Sequence, residues 1–217
     1  MDKIQLIDTL PCVFDGRSDI ASDVWNKTVE FDRDKLYLVE ANSGTGKSSL
    51  CSFIYGYRND YKGQILFDGE DVRKYSVKQW TNIRMKHFAL LWQELRLFPE
   101  LTAMENVEIK NKLSGITGYQ KEAQIKEWFE MLGVADKMDA KIGRMSFGQQ
   151  QRVALIRALC QPFDFIFVDE PISHLDDTNS EIMGRILTAE AKRQGAGVIA
   201  TSIGKHIELN YDKVFRL

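Results

Sequence analysis

The chain is poor in the residues that mark several large classes of protein. Among its 217 residues there are three cysteines, four prolines and three histidines. Cys12, Cys51 and Cys160 lie far apart and are odd in number, which argues against a disulfide framework. Because no C-x-x-C pair occurs and histidine is scarce, a zinc site is also disfavoured. We therefore expect reduced thiols and a cytoplasmic protein.

Long apolar runs and an excess of one charge are also missing. No stretch approaches the ~18 apolar residues that a membrane helix needs, and the first residues lack the features of a secretory signal. Any role at a membrane must then come through a partner. Lysines and arginines number 29 against 31 aspartates and glutamates, which predicts no nucleic-acid partner. A composition with 44% hydrophobic and 28% charged residues is typical of a globular chain, here a single domain over 1–217.

What the sequence does contain is an alternation of strand and helix patterns, which predicts an α/β domain. Apolar residues from Leu50 to Tyr57 recur at the spacing of an amphipathic helix, and a second helix is predicted near 178–193. Between about 95 and 150 the strand patterns fade and helical stripes replace them, so we predict an inserted helical subdomain there. Short apolar runs typical of buried strands occur at 36–39, 64–67, 88–92, 165–168, 198–200 and 214–215.

A glycine-bearing stretch typical of phosphate-binding loops lies between the 36–39 strand and the following helix. Glycines let backbone N–H groups converge on phosphate oxygens, and the helix N-terminus adds its positive dipole end. Lys47 is predicted to reach the β- and γ-phosphates, and the Ser48 hydroxyl to ligate Mg²⁺. Ala41 stands where the G-x-x-x-x-G-K-[ST] pattern begins with glycine, a difference of one methyl group. The predicted phosphate-binding residues are Asn42, Ser43, Gly44, Thr45, Gly46, Lys47, Ser48 and Ser49.

Two carboxylates, Asp169 and Glu170, follow the apolar run at 165–168. Ligands of open α/β sheets gather at the C-terminal edge of the strands, so this pair is predicted to face the phosphate loop. Asp169 would hold Mg²⁺ directly or through water, and Glu170 would polarise an attacking water as general base. Acidic residues at a strand end are common in solvated loops, and the interpretation therefore depends on the phosphate loop upstream.

A further motif begins a helix at Ser146, which has the spacing of a capping box with Gln149. The stretch 145–152, MSFGQQQR, resembles the L-S-G-G-Q-Q-Q-R signature of the ATP-binding cassette (ABC) ATPases. Gln93 resembles that family's Q-loop glutamine, the stretch 97–107 matches the segment after it, and 173–176 is similar to its S-x-L-D loop. Five elements in the family's order identify the chain as a member, and it looks most like the compact lipoprotein-release, macrolide-export and cell-division branch.

The resemblance implies a fold and a mechanism shared between two protomers. The fold would be a P-loop NTPase of the ABC ATPase type, with a core sheet, an antiparallel β subdomain and an inserted helical subdomain. Two such domains, as a homodimer or heterodimer, would pair head to tail around ATP and Mg²⁺. Motion would pass through the helical subdomain to a transmembrane permease-type subunit, which would place the chain at the inner face of the membrane. The residues serving one nucleotide would be Lys47, Ser48, Gln93, Asp169 and Glu170, with Ser48, Gln93 and Asp169 at the metal, and the opposite copy would add Ser146, Gly148 and Gln149.

Some positions depart from the family pattern. Phe147 replaces the signature's first glycine. Ser202 stands where the family has a histidine at the γ-phosphate; a hydroxyl donates one hydrogen bond but carries no charge, so we expect slower hydrolysis, with His206 as the alternative donor. The family's adenine-stacking aromatic residue is assigned to Phe14, and Trp25 is the weaker candidate. The alternative function is a degenerate cassette that binds ATP with little hydrolysis and acts as a regulatory or structural subunit.

Overall fold

The computed structural model describes residues 1–17, 19–113, 119–172 and 175–217. The strands in these ranges are β1 (Lys3–Pro11), β2 (Thr28–Asp32), β3 (Leu36–Glu40), β4 (Tyr61–Phe67), β5 (Glu70–Asp71), β6 (Phe88–Leu91), β7 (Phe165–Asp169), β8 (Gly197–Ser202) and β9 (Lys213–Arg216). The α-helices are α1 (Lys47–Ile54), α2 (Val77–Lys86), α3 (Ala103–Leu113), α4 (Glu122–Met131), α5 (Phe147–Leu159) and α6 (Asp177–Gln194).

The strands form two sheets, as the family resemblance implies. A parallel five-stranded sheet has the order β6-β7-β8-β3-β9, and an antiparallel four-stranded sheet has the order β2-β1-β4-β5. Every strand predicted from an apolar run is present. Between β6 and α5 the described residues form α3, α4, two short 3-10 helices and one isolated bridge between Thr102 and Lys141. The α/β fold with an antiparallel β subdomain is therefore confirmed.

The central strands are continuously apolar because both faces of the parallel sheet are covered. Successive residues of a strand point to opposite faces. Leu38 and Val168 accordingly contribute to an apolar cluster shared with α3 to α6, whereas Val39 and Phe167 contribute to a second cluster between the two sheets. In the parallel register Asp169 lies opposite Thr201. The C-terminal ends of β3, β7 and β8 therefore meet at one edge, where the site lies.

Helix α1 ends earlier than the apolar pattern predicts. It stops at Ile54 rather than reaching Tyr57, because Gly56 follows with a φ of 72°, in the left-handed region where helices end. The turn is also packed closely: a Cβ on Gly56 would lie 2.5 Å from the Trp80 ring of α2. Only glycine fits this turn, and its position was not apparent from helical periodicity alone.

A buried carboxylate connects the helical segment to α6. Glu190, 5% exposed, accepts hydrogen bonds from Gln120 Nε2 at 2.7 Å, from Gln194 Nε2 at 2.8 Å and from the Arg193 guanidinium. Gln120 also donates to the carbonyl of Leu159 at the end of α5. Because a buried charge is tolerated only when its oxygens are satisfied, this network fixes the residues before α4 against α5 and α6.

The helices and the cysteines are the two features that bear on the predicted location of the protein. None of the described helices is both long enough and apolar enough to span a bilayer. Cys51 and Cys160 are buried, and burial raises the pKa of both thiols, whereas Cys12 is exposed. None of the three cysteines is paired.

Candidate functional site

The loop between β3 and α1 has the backbone that phosphate binding requires. Gly44 and Gly46 have φ values of 82° and 97°, in the region that favours glycine. The Thr45 hydroxyl donates to the carbonyl of Asn42 at 2.9 Å and closes the turn. Since Gly46 begins α1 without a capping side chain, the first N–H groups of the helix are available to an anion.

Two aromatic rings support this loop from the side of the core. Trp25 Nε1 donates to the carbonyl of Thr45 at 2.8 Å, and a Cβ on Gly46 would lie 3.1 Å from both Trp25 and Phe14. Trp25 is 2% exposed and Phe14 is 8% exposed. Trp25 is thus enclosed under the loop, whereas Phe14 also lines the cleft, and the assignment of an adenine-stacking ring stays a prediction.

Removing the indole donor tests this support. Trp25→Phe should lower the free energy of unfolding by about 1–3 kcal/mol, because Thr45 loses a hydrogen bond and the smaller ring leaves space. It should also weaken phosphate binding, since the loop is held less firmly. Thermal denaturation and nucleotide titration measure the two effects. Trp80→Phe, a matched change on α2, should leave nucleotide affinity unaltered. If the two variants lowered nucleotide affinity equally, Trp25 would not be the support of the phosphate loop.

Four predicted residues meet at the end of β7. Lys47 Nζ lies 3.5 Å from Asp169 Oδ1 and contacts Glu170 Oε1. Gln93 Nε2 donates to Glu170 Oε2 at 3.1 Å. Glu170 has a φ of 48°, an uncommon conformation for a residue with a side chain and one found at functional sites. Asp169, 3% exposed, also accepts a hydrogen bond from the Thr201 hydroxyl, a contact that sequence reasoning missed.

The electrostatics of this cluster suit an anionic ligand with a cation. The side chain of Lys47 is 6% exposed. Burial lowers the pKa of Lys47, and the nearby Asp169 carboxylate acts in the opposite direction. One ammonium thus faces two carboxylates. A phosphate group and a divalent cation can bind here together, because the phosphate pairs with the ammonium and the cation pairs with a carboxylate.

The donor set fits Mg²⁺ held partly by its substrate. The described ranges contain no group of three or more His, Cys, Asp or Glu side chains placed to hold a metal. Mg²⁺ prefers oxygen ligands and is usually bound by one or two carboxylates together with phosphate oxygens and water. Ser48 and Gln93 line the cleft and supply such oxygens. Asp169 lies behind them, where it can act directly or through water.

Gln93 is positioned by a contact that the sequence did not reveal. The turn after it contains Leu95 and Arg96, both in the left-handed region with φ values of 58° and 50°. Arg157 of α5 donates to both of their carbonyls, each at 2.6 Å. Burial lowers the pKa of Arg157 to about 10. The helix that begins with the predicted signature therefore holds the turn that follows Gln93.

Most of the predicted phosphate-loop residues, together with Phe14, Gln93 and Glu170, border one cleft of about 440 Å³, a volume typical of ligand sites. Its polar wall is the phosphate loop with Gln93 and Glu170, and its rim is apolar. The lining residues are Val13, Phe14, Asn42, Ser43, Gly44, Gly46, Lys47, Ser48, Ser49, Gln93, Glu170 and Ile203. A cavity of about 480 Å³ between α1, β4 and α2 contains none of the predicted site residues.

Ser202 lies at the end of β8 but does not face the cleft. It is 0% exposed, and its hydroxyl donates to the carbonyl of Lys205 at 2.7 Å. A hydrogen bond from Ser202 to a γ-phosphate would require this contact to break, and that role of Ser202 stays a prediction. Ile203 lines the cleft instead, and His206 borders a different cavity with Asp177. Ser173 and His174 of the predicted S-x-L-D loop lie outside the described residues.

The predicted capping box is present at the start of α5. Gln149 N donates to Ser146 Oγ at 3.3 Å, and Ser146 N donates to Gln149 Oε1 at 2.9 Å. Phe147, the first residue of the helix, is 41% exposed. Within the described part of the chain, neither Ser146, Phe147 nor Gly148 lines the cleft formed by the phosphate loop. One copy therefore carries these two predicted halves of a nucleotide site at separate places.

Comparison with protein families gives one assignment for most of the chain. A family model described as "ABC transporter" matches residues 26–173. The ABC transporter ATP-binding protein YtrE of Bacillus subtilis (strain 168) is 30% identical over 199 residues, which cover 91% of this chain and 86% of that protein. The macrolide export ATP-binding/permease protein MacB of Shewanella sp. (strain ANA-3) is 30% identical over 85% of this chain, but the match spans only 28% of that relative.

Solved structures show the same fold. The dimeric structure of MJ0796, a bacterial ABC transporter cassette, superposes with a TM-score of 0.75 at 24% identity and covers 91% of this chain and 87% of that chain. A bacterial Atm1-family ABC exporter with ATP bound superposes with a TM-score of 0.77 at 17% identity, over all of this chain and 37% of that one. At these identities the likeness supports the fold alone. The similarity to MacB agrees with the predicted macrolide-export branch.

Proposed function

This chain belongs to the ABC transporter family, and on that premise we propose that it binds Mg-ATP, pairs with a second nucleotide-binding domain around it, and hydrolyses it to drive a membrane partner. The observation that carries this proposal is the meeting of Lys47, Gln93 and Glu170 in the cleft beside the phosphate loop. These three side chains come from three separate parts of the sequence, and their chemistry is that of phosphoryl transfer.

The cluster accounts for both binding and hydrolysis. A γ-phosphate that enters the cleft replaces Glu170 as the partner of the Lys47 ammonium, which stabilises the bound triphosphate. Glu170 is then free to accept a proton from water, while Gln93 remains within hydrogen-bond reach to orient that water. Mg²⁺, held by Ser48, Gln93 and Asp169, would neutralise the charge that develops on the phosphate oxygens.

A second domain completes the site. The capped N-terminus of α5, with Ser146, Gly148 and Gln149, is separate from the cleft of its own chain. The positive end of the helix dipole at this N-terminus suits the γ-phosphate held by another copy. Closure of the pair then depends on a phosphate that hydrolysis removes, so the equilibrium between closed and open pairs shifts with each cycle. Gln93 and the helical segment would transmit this motion to a transmembrane permease-type subunit at the inner face of the membrane.

We propose that hydrolysis is slow. Ser202 has no charge and bonds to Lys205, and Ile203 presents an apolar side chain to the cleft. If an acid–base contribution is lost, the rate falls by a factor on the order of 10²–10⁴. The same observation favours the alternative function, a degenerate cassette that binds ATP as a regulatory or structural subunit. The intact Lys47 and Glu170 favour turnover.

The experiment that separates these functions measures binding and phosphate release on the purified full chain. Calorimetry with Mg-ATP should show association, and a coupled phosphate assay should show slow release that depends on Mg²⁺. Binding without release above that of a heat-inactivated sample would identify the degenerate cassette. No association in calorimetry, with Mg²⁺ present and with the copurifying membrane partner added, would refute both functions.

A further inference from the structure

The rim of the nucleotide cleft contains an apolar side chain that phosphate binding does not explain. Ile203 is 46% exposed and lines the cleft directly after the end of β8. The hydrogen bond from Ser202 Oγ to the carbonyl of Lys205 closes the turn that carries Ile203. An isoleucine beside an anion site gives the phosphate no hydrogen bond. Its burial on closure of the site would instead stabilise whatever covers it.

A second apolar side chain is displayed by the signature segment. Phe147 is 41% exposed at the first position of α5. Its backbone position is fixed because Ser146 and Gln149 cap the helix reciprocally. Aromatic side chains on a fixed backbone make effective interface anchors, since they bury a large apolar area and have few rotatable bonds. Phe147 does not line the cleft of its own chain.

We propose that Phe147 of one copy packs against Ile203 of a second copy when the pair closes on ATP. The proposal rests on the head-to-tail pairing proposed above. That pairing brings Ser146 and Gly148 to the γ-phosphate of the opposite copy, and Phe147 lies between them in sequence. Ile203 lines the cleft beside the phosphate loop and directly follows Ser202, the position that the family resemblance places at the γ-phosphate. Head-to-tail pairing therefore places the Phe147 ring of one copy at the cleft rim of the other, where Ile203 is exposed.

The contact selects a second copy of this chain as the partner. A closed symmetric dimer forms each contact twice, so the two apolar pairs add to both halves of the interface. In a mixed pair, the other cassette could have a small residue at the Phe147 position or a polar residue at the Ile203 position. Ile203 or Phe147 of this chain would then lose its apolar partner at that site. Such a mismatch disfavours mixed pairs by the same interaction that stabilises the homodimer.

Site-directed cross-linking tests the contact between copies. The background is the full chain with Cys12→Ser, which removes the exposed thiol, and Glu170→Gln, which retains ATP. Chains carrying Phe147→Cys are mixed with chains carrying Ile203→Cys and oxidised with copper phenanthroline. With Mg-ATP, the yield of disulfide-linked dimer should be at least about tenfold higher than without nucleotide. Without ATP the copies remain mostly monomeric, because no ligand stabilises the pair. The matched control replaces Ile203→Cys by Val77→Cys on α2, which is 84% exposed.

The possible outcomes separate this contact from the proposed function. If light scattering shows an ATP-dependent dimer but the 147–203 yield equals that of the Val77 control, the contact is refuted and the pairing stands. If calorimetry shows ATP binding but no dimer forms, the contact is refuted while nucleotide binding stands. If calorimetry shows no ATP binding, the proposed function itself fails, and the contact fails with it.

A double-mutant cycle measures the same contact without cysteines. Phe147→Ala and Ile203→Ala should each weaken ATP-dependent dimerisation about tenfold, as expected for an interface anchor. The double variant should be little worse than either single variant, because both remove one interaction. Val77→Ala should have no effect. Monomer affinity for ATP should stay the same in Phe147→Ala, and additive effects in the double variant would overturn the pairing of these two side chains.

Discussion

Lys47→Ala should abolish detectable Mg-ATP binding. Lys47 is the one cationic side chain among the described residues that line the cleft, and its ammonium contacts Glu170 and lies near Asp169. In the free protein, removing one partner of this buried ion pair lowers the free energy of unfolding by about 3–5 kcal/mol, and in the complex the phosphates lose their cationic partner. Two unpaired carboxylates would then also repel the triphosphate. Affinity should fall by a factor on the order of 10²–10³.

Calorimetry of the purified variant with Mg-ATP measures this loss. Lys62→Ala is the matched control, because Lys62 is an exposed lysine paired with Asp15 on the surface; it should bind like the unaltered chain. Thermal denaturation without nucleotide shows whether Lys47→Ala remains folded. An affinity within a fewfold of the unaltered chain, in a folded variant, would show that Lys47 does not hold the phosphates.

Glu170→Gln should stop hydrolysis and retain ATP. The amide has the same shape but cannot accept a proton from water, so phosphate release should fall by a factor on the order of 10²–10⁴. Binding should be preserved or strengthened, because a negative charge close to the γ-phosphate is removed. The closed pair should therefore accumulate with Mg-ATP, which size-exclusion chromatography with light scattering detects.

The matched control for this variant is Glu208→Gln. Glu208 has a side chain that is 93% exposed and lies after β8, away from the phosphate loop. It should release phosphate at the rate of the unaltered chain. Phosphate release by Glu170→Gln at an undiminished rate would remove Glu170 from the role of general base, whereas loss of ATP binding would assign it to the binding of nucleotide instead.

Much of the fold followed from local patterns in the sequence. Short apolar runs predicted the strands because a parallel sheet covered on both faces needs continuous apolar residues. The capping box at Ser146 was predicted from two residues three positions apart, since that motif is formed by neighbours in the chain. The phosphate loop was likewise local, and its glycines have the positive φ values that the motif requires.

The contacts that define the site were less predictable because they join distant segments. Trp25 binds the phosphate loop and Arg157 binds the turn after Gln93, and no periodicity links these pairs. The orientation of Ser202 was missed for a different reason. Alignment to a family motif places a residue on a strand end, but a side-chain hydrogen bond to the carbonyl of Lys205 decides where the hydroxyl points.

Because only one of the three cysteines is exposed, the unaltered chain can be labelled with a fluorophore at a single position. Cys12 is exposed and precedes Val13, which lines the cleft, whereas Cys51 and Cys160 are enclosed and poorly ionised. A maleimide fluorophore would react with Cys12 and not with the two buried cysteines, because the thiolate is the reacting form and its exposure controls the rate. Its emission would follow ATP entry and departure in real time, with no substitution in the protein.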